Sequence, residues 1–189
     1  MIRIRLSASH LARFKRELSR AGSREVGGVL AAELISDGVF TIADFSVQRT
    51  GGSVASFVRE PSMHKRFLRR FFQRTGYEYE RFNYIGEWHS HPLFPAVPSP
   101  TDLRQMQSIA DDPEQVATFV VLLIVRLRPA GKIEATAHAF RRGRLPVTVT
   151  LEMEGDCTGG LHANERSQRI SLRERVALRD EQCSLDGSR

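Results

Sequence analysis

The stretch Gly86–Asp102, GEWHSHPLFPAVPSPTD, contains two histidines one residue apart, followed by a run of prolines that ends in an aspartate. On a β-strand, side chains two positions apart lie on the same face. His89 and His91 are therefore predicted to point the same way, while Trp88 and Ser90 point to the opposite face. The prolines end the strand and predict a turn after it.

A helix start is predicted at the end of the same stretch. Pro100 stands near the first helical position, and Leu103, Met106 and Ile109 follow at helical spacing. Because the proline-rich turn brings the chain back, the first turn of this helix can direct Asp102 toward the two histidines. Ser99, three residues before Asp102, is then expected at the rim of the same site.

The remaining segments alternate between strand and helix patterns. Strands are predicted at residues 2–6, in a hairpin of EVGGVLAAELI and VFTIADFSV around Ser36-Asp37-Gly38, and at VASFV, RFNYIGEWHSH, ATFVVLLIVRL, KIEATAHAF and LPVTVTLEM. One helix is predicted from a cap at Ser7 or Ser9 to near Gly22, with the apolar face Leu11, Phe14 and Leu18. Another begins at Pro61 and Ser62 and ends at Gly76, with the apolar face Met63, Phe67, Leu68, Phe71 and Phe72.

These segments predict a single α/β domain over residues 1–152, followed by a polar tail at residues 153–189. From Gly155 onward apolar residues become sparse, so we expect the tail to be flexible. Cys157 and Cys183 lie in this tail without CxxC spacing. Two free thiols in a reducing compartment are therefore expected rather than a zinc knuckle or a redox pair.

Composition and charge restrict the classes of function. The longest apolar run, Phe119–Val125, is much shorter than the roughly 20 residues that cross a bilayer. The amino-terminal residues carry charges throughout, unlike a secretory signal, so a cytoplasmic location without a membrane partner is expected. The net charge of +6 favours an acidic partner, either nucleic acid or an acidic protein surface.

The paired histidines and the aspartate predict a metal site. Two imidazoles on one face of a strand are suitable ligands for zinc, and a catalytic zinc ion takes three protein ligands and leaves a fourth position for water. Asp102 is the candidate for the third ligand. Zinc is the expected metal, although histidine and aspartate also bind iron and manganese.

The complete pattern H-x-H-x(7)-S-x-x-D, from His89 to Asp102, resembles the metal motif of the JAB/MPN/Mov34 family, the JAMM metalloproteases. The segment REVGGVLAAEL also resembles the early strand of that family, with Glu25 before two glycines. The resemblance covers the layout of most of residues 1–150. It implies a curved mixed β-sheet flanked by helices, similar to cytidine deaminases.

The resemblance also implies a role for each site residue. One zinc ion would be held by His89, His91 and Asp102. Glu25 would act as general base toward the attacking water and then as general acid toward the leaving amine. Ser99 would donate a hydrogen bond to the oxyanion of the tetrahedral intermediate. Glu87 shares the predicted face of the histidines and is an alternative base, or a partner that orients one imidazole.

Relatives in this family usually cleave an amide or isopeptide bond after the C-terminal glycine of a ubiquitin-like protein. The short chain and the segment IGEWHSHP resemble bacterial stand-alone members found beside E1-like and E2-like proteins in antiphage defence operons. The expected partners are a ubiquitin-like protein and its conjugates, with E1-like and E2-like proteins from the same operon. Nucleic acid is not expected as a partner.

Several alternatives remain open from the sequence. The same fold could trim a sulfur-carrier protein in cysteine or cofactor synthesis. A non-catalytic binding module could use the arginines of residues 59–81 and 141–144. An amidohydrolase-type HxH enzyme is disfavoured because its barrel needs about 250 residues. The arginines and aromatic residues of Ser56–Tyr84 could either hold the substrate or form a solvated helix face above packed phenylalanines.

Overall fold

The computed structural model describes residues 1–49 and 61–155. Within these residues the chain forms eight β-strands, three α-helices and a short 3₁₀ turn at Pro129–Gly131. The strands are β1 Arg3–Leu6, β2 Gly27–Ser36, β3 Val39–Phe45, β4 Phe82–Ser90, β5 Val120–Leu127, β6 Ile133–Arg141, β7 Arg144–Thr148 and β8 Thr150–Met153. The helices are α1 Ala8–Ala21, α2 Pro61–Arg74 and α3 Pro100–Asp111.

The strands form one mixed sheet in the order β7-β6-β5-β4-β2-β3-β1-β8. β7 and β8 are consecutive in the chain, with only Val149 between them, yet they occupy opposite ends of this order. The sheet must therefore curl until its two edges nearly meet. The Val149 N–H donates to the Ala137 carbonyl of β6 at 3.0 Å, while the next residue already pairs with β1. The predicted α+β class with a curved mixed sheet is confirmed.

Alternation along β5 divides the core into two layers, because side chains of successive residues point to opposite faces. Val121, Leu123 and Val125 join the larger cluster that contains α1, whereas Val120, Leu122 and Ile124 join a smaller cluster with α3. All six are buried. The strand predicted at ATFVVLLIVRL is thereby confirmed, and it is apolar on both faces.

Trp88 is at the centre of the larger layer. The Phe14 ring of α1 stacks on Phe45 at 4.1 Å, and both rings meet Trp88 edge-on. The Trp88 indole N–H donates to the Ser46 carbonyl at 2.8 Å, so its polar atom is satisfied although the side chain is fully buried. Trp88 is therefore a core residue on the face opposite to its neighbour His89.

Two glycines permit the close strand contacts around β4. A Cβ atom on Gly28 would collide with the Ser46 backbone and side chain, and one on Gly86 would collide with the Val121 backbone. Gly86 also has a φ of 147°, a conformation that other residues rarely adopt. These positions hold β2 against the segment after β3, and β4 against β5.

Most predicted elements are confirmed within the described residues. Ser7 rather than Ser9 caps α1, its hydroxyl accepting from the His10 N–H, and Gly22 ends the helix. The hairpin of β2 and β3 turns at Asp37-Gly38, and α2 ends before Gly76 as expected. The predicted strand VASFV and the residues of the tail from Asp156 onward lie outside the described residues, so the division at residue 152 remains a prediction. Among the helices of residues 1–49 and 61–155, none has the length and apolarity required to span a bilayer.

Asp44 connects β3 to two helices. Its carboxylate accepts from Arg13 of α1 at 2.7 Å and from Arg74 of α2 at 2.6 Å. Burial alone would raise the pKa of Asp44, but the hydrogen bonds from Arg13, Arg74 and the Phe45 N–H outweigh it and hold this pKa below its ordinary value. The ionised carboxylate therefore stabilises the folded state.

We expect Asp44→Asn to lower the free energy of unfolding at pH 7 by about 1–3 kcal/mol, because two arginines lose a charged hydrogen-bond acceptor. Because the folded-state pKa is depressed, this contribution is present above the unfolded pKa of about 4 and is lost as the pH falls through the folded pKa. Urea unfolding from pH 7 down to pH 3 measures it, with the exposed Asp37→Asn as the control. A difference between wild type and Asp44→Asn that stays constant with pH would contradict this role.

Candidate metal centre

Three side chains converge on the face of β4 that looks toward α3. His89 lies in β4, His91 follows the strand directly, and Asp102 lies in the first turn of α3. The Nε2 atoms of the two histidines are 3.2 Å apart, and His89 Nε2 is 3.3 Å from one carboxylate oxygen of Asp102. His91 Nε2 is 3.6 Å from the other oxygen. Both imidazoles are buried, and Asp102 is half-buried.

Strand pairing keeps the two histidines on the same side. His89 lies opposite Gly27 of β2 and Ile124 of β5. The His91 N–H donates to the Val125 carbonyl at 3.0 Å, so the chain continues beside β5 after β4 has ended. The alternation predicted from the sequence therefore holds for both histidines.

The turn between β4 and α3 is held by backbone carbonyls. The Thr136 hydroxyl of β6 donates to the Ala96 carbonyl at 2.5 Å, and Ala96 itself is buried. His91 Nδ1–H donates to the Pro95 carbonyl at 3.0 Å. Because this bond takes the proton at Nδ1, the lone pair of a neutral His91 is at Nε2, which faces His89 and Asp102.

Asp102 is held by a reciprocal cap at the start of α3. The Ser99 hydroxyl accepts from the Asp102 N–H at 3.2 Å, and the Asp102 carboxylate accepts from the Ser99 N–H at 2.7 Å. Such a capping box satisfies two N–H groups that the helix leaves unpaired. The predicted helix start is confirmed, and the cap also directs the carboxylate toward the histidines.

The spacing of these groups fits a tetrahedral zinc ion. Bonds of about 2.0–2.1 Å at tetrahedral angles place neighbouring ligand atoms roughly 3.3 Å apart. The His89–His91 and His89–Asp102 separations of 3.2 Å and 3.3 Å match that value, and the His91–Asp102 separation of 3.6 Å is close to it. Two imidazole nitrogens and a carboxylate turned toward one another also require a proton or a cation between them. The donor set therefore suits a divalent metal.

The electrostatics of the centre favour an ionised Asp102. Burial alone would raise the pKa of Asp102, but hydrogen bonds from His89 and His91 outweigh it and hold this pKa far below its usual range. Burial lowers the pKa of His91, whereas its hydrogen bonds to Asp102 and the Pro95 carbonyl raise it, and the net pKa is raised. The cluster therefore favours a positive charge beside the carboxylate.

Glu25, two residues before the start of β2, lines a cleft together with His91 and Asp102. The cleft has a volume of about 550 Å³ and is lined by Glu25, His91, Phe94, Pro95, Val97, Pro98, Ser99, Thr101, Asp102 and Gln105. Glu25 is only 5% exposed. Burial raises the pKa of Glu25, with an added contribution from Asp102 that His89 and His91 oppose. The structure therefore brings all five predicted site residues to one region.

Other acidic and histidine side chains lie outside the cleft or outside the described residues. Glu87 shares the face of His89, as predicted, but it is not among the described residues that line the cleft. Glu33 is at the far end of β2, where it pairs with Arg81 at 2.6 Å. His64 is buried between Ser46 and Gln48, in keeping with a structural role, and His162 lies outside the described residues.

Two contributors to the site were missed from the sequence. The Pro95 carbonyl orients His91. From the sequence, orienting an imidazole is one of two alternative roles for Glu87. Alternation places Ser90 on the face opposite to the histidines, where its hydroxyl accepts from the Val26 N–H, next to Glu25 in the sequence. The position of Ser90 between two ligand candidates was the only signal for it, and a backbone carbonyl leaves no signal in the residue type.

Comparisons with known proteins identify similar sequences. The model of a family described as prokaryotic homologues of the JAB domain matches residues 7–142, which include all five predicted site residues. A protein of Enterobacter hormaechei subsp. hoffmannii (strain UCI 50), named CD-NTase/cGAS isopeptidase, is 30% identical over 152 residues. The aligned region is 76% of this chain and 78% of that protein.

Solved structures share the fold. A solution structure of a protein from Desulfitobacterium hafniense matches with a TM-score of 0.58 and 18% identity, over 80% of this chain and 92% of that one. Another, from Salinibacter ruber, matches with a TM-score of 0.50 and 19% identity, over 84% and 96% of the two chains. At these identities the likeness shows the fold alone.

We expect the wild-type chain to bind about one zinc ion, and His89→Ala and Asp102→Ala each to weaken zinc affinity by at least about 100-fold, because a tetrahedral site loses a direct ligand. Elemental analysis after gel filtration and competition with a chelator measure this. His10→Ala removes an imidazole on α1 and is the matched control. Unchanged zinc affinity in both ligand variants would show that the metal lies elsewhere.

Proposed function

The chain belongs to the family of prokaryotic homologues of the JAB domain, and on this premise we propose that it is a zinc-dependent isopeptidase. The family and the isopeptidase relative support a hydrolase of this kind. The proposed scissile bond is the amide or isopeptide bond after the C-terminal glycine of a ubiquitin-like protein. The reaction either processes a precursor or removes a conjugate.

One observation carries this proposal. Two buried imidazoles and a carboxylate meet at the ligand spacing of a tetrahedral metal, and a fourth group, the carboxylate of Glu25, lines the same cleft. Hydrolysis of an amide requires a polarised carbonyl, an activated water and a proton for the leaving amine. The residues around this cleft can supply each of these.

His89, His91 and Asp102 are proposed as the metal ligands. A zinc ion held by these residues would supply Lewis acidity, which would polarise a carbonyl oxygen and make water more acidic. Glu25 is proposed to accept a proton from the attacking water at its carboxylate and to deliver it to the amine nitrogen as the bond breaks. A general base works best when its pKa is near the working pH, and burial shifts the pKa of Glu25 in that direction.

Ser99 is proposed to stabilise the negative charge that develops on the carbonyl oxygen. This residue lines the cleft and its hydroxyl oxygen accepts from the Asp102 N–H, so the hydroxyl hydrogen is the group that would donate to the carbonyl oxygen when substrate binds. The cap holds this hydroxyl in place before substrate binds, so little reorganisation is needed during the reaction. Ser99 therefore has two roles in the proposal, one in the helix start and one toward the substrate.

The relative's name supports a conjugate as the substrate. That protein is named an isopeptidase of CD-NTase/cGAS. We propose that this chain likewise removes a ubiquitin-like protein from an enzyme of that kind, within a conjugation system of antiphage defence that includes E1-like and E2-like proteins. The cytoplasm is the proposed location. The name favours this reaction over the trimming of a sulfur carrier.

The basic face of α2, formed by Lys65, Arg66, Arg69 and Arg70, is exposed, whereas Phe71 is buried against the sheet. The phenylalanine thus packs while the cations remain at the surface. This arrangement leaves the face able to contact an acidic substrate protein. The alternative of a basic binding module can be tested on the same face. Binding by such a module would weaken steeply with salt and would survive loss of the metal ligands.

A cleavage assay tests the proposed function. We expect the zinc-loaded wild type to cut a fusion in which a ubiquitin-like protein ends in glycine before a reporter, or an isopeptide conjugate of the same protein. A chelator should abolish cleavage, and added zinc should restore it. A sulfur-carrier protein with an extended C-terminus is the competing substrate. No cleavage of the glycine-ended fusion or the conjugate by zinc-loaded protein would refute the proposal.

Glu25→Gln should retain zinc and the fold but lower kcat by about 100- to 10,000-fold, since an amide cannot carry the proton. Glu87→Gln is the matched control on β4 and should keep cleavage near the wild-type rate. Rates on the glycine-ended fusion and zinc content are measured for both variants. Full activity in Glu25→Gln, with loss in Glu87→Gln, would assign the base to Glu87.

A further inference from the structure

Ser90 makes an irregular pair with Val26 at the end of the β2–β4 ladder. Gly27 with His89 is the last pair of the ladder, and Val26 and Ser90 meet one position beyond it. The Ser90 N–H donates to the Val26 carbonyl at 2.8 Å. In a regular antiparallel pair, the Val26 N–H would donate in return to the Ser90 carbonyl. It donates instead to the Ser90 hydroxyl oxygen, at 3.0 Å.

The hydroxyl takes the place of the carbonyl as acceptor at the point where the chain after β4 separates from β2. The next N–H, that of His91, donates to Val125 of β5, so the backbone after Ser90 follows β5 alone. The hydroxyl thus replaces a ladder bond that the diverging backbone does not make. Ser90 is 1% exposed and Val26 is 3% exposed, so bulk water has little access to this N–H group.

The Val26 N–H, which donates to the Ser90 hydroxyl, belongs to the peptide bond that follows Glu25. Fixing this peptide plane restricts the ψ angle of Glu25, and with it the direction in which the Glu25 side chain leaves the backbone. Glu25 lines the cleft together with His91 and Asp102. We propose that Ser90 is a positioning residue that acts through the Val26 N–H to aim the Glu25 carboxylate at the reacting atoms. This inference rests on the proposed hydrolase function.

The Ser90 side chain is separate from the metal ligands. By alternation it points to the face opposite His89, where it lines a small cavity of about 160 Å³ with Leu18, Gly22 and Leu127. Removing the hydroxyl therefore leaves His89, His91 and Asp102 in place. The same cavity has room for one methyl group, so Ser90→Thr keeps the oxygen and serves as the conservative variant.

The first readout needs neither metal nor substrate. In the metal-free chain, amide hydrogen exchange at Val26 should be faster in Ser90→Ala than in wild type, and it should stay slow in Ser90→Thr. If Ser90→Ala folds poorly, Ser90→Cys takes its place, because cysteine keeps the shape of serine but offers only a weak acceptor. Exchange at Val26 should then be faster in Ser90→Cys than in wild type. Slow exchange in both Ser90→Ala and Ser90→Cys would overturn the inference.

The second readout is kinetic, on the zinc-loaded chain with the glycine-ended fusion. Ser90→Ala should lower kcat by about 10- to 100-fold through misplacement of Glu25, with KM and zinc content unchanged, while Ser90→Thr should keep most of the rate. In the Glu25→Gln background, Ser90→Ala should cause no further loss, because its effect passes through Glu25.

Each other outcome has a distinct meaning. Three outcomes would overturn the positioning role while leaving the proposed function intact. They are an unchanged kcat in Ser90→Ala, a loss of zinc that parallels the loss of rate, and an equal further loss of rate when Ser90→Ala is added to Glu25→Gln. Failure of the zinc-loaded wild type to cleave either substrate would overturn the proposed function and the inference together.

Discussion

The end of β4 is the structural feature on which the candidate site depends. This strand is hydrogen-bonded to β2 on one edge and to β5 on the other, and the two pairings separate after Ser90. Up to that point β4 is enclosed in the sheet and places His89. Beyond it, the His91 N–H bonds to Val125 of β5, which places His91 before the turn toward α3. Glu25 directly precedes Val26, which is hydrogen-bonded to Ser90 at this point, so one change of strand partner organises both the ligand candidates and the carboxylate.

At the start of α3, the Asp102 carboxylate has two functions. Asp102 accepts the Ser99 N–H as part of a capping box and also faces the two histidines. These functions are compatible because a helix N-terminus has unpaired N–H groups and a positive dipole end, both of which favour an anion. The hydrogen bonds from the histidines lower the pKa of Asp102 further than a cap alone would. The carboxylate is consequently ionised and oriented by local structure, and its position does not depend on a long flexible side chain.

Burial makes this arrangement costly without a partner charge. His91 and two carboxylates line one cleft, with His89 against His91 and Asp102, and the charged form of a buried group is disfavoured unless it is paired. A divalent cation at the ligand spacing would offset the repulsion between nitrogen lone pairs and would neutralise the carboxylate charge. Metal affinity and folding stability are therefore expected to be linked in this chain. The close packing of Gly28 and Gly86 against neighbouring backbones limits how far the strands can relax.

Much of the fold was predictable because its signals are local. The caps at Ser7 and Ser99, the turn before Val39 and the apolar repeat of β5 each depend on neighbours within a few residues. The ligand candidates could be named because all three lie within one stretch of strand, turn and helix. The residues around Glu25 added a fourth candidate only through resemblance to a family, since nothing local ties Glu25 to His89, which is more than sixty positions away in the sequence.

The sequence alone therefore indicated most of the elements, the fold class and the residues of the candidate metal centre. Only the tertiary structure decided which strands are neighbours, that β7 and β8 would separate at Val149 to opposite edges, and that Pro95 and Ser90 would orient His91 and hold Val26. The physical reason is that strand order and backbone hydrogen bonds join residues distant in the chain. Backbone carbonyls and N–H groups are the same in every residue type, so their partners are settled only when the chain has folded.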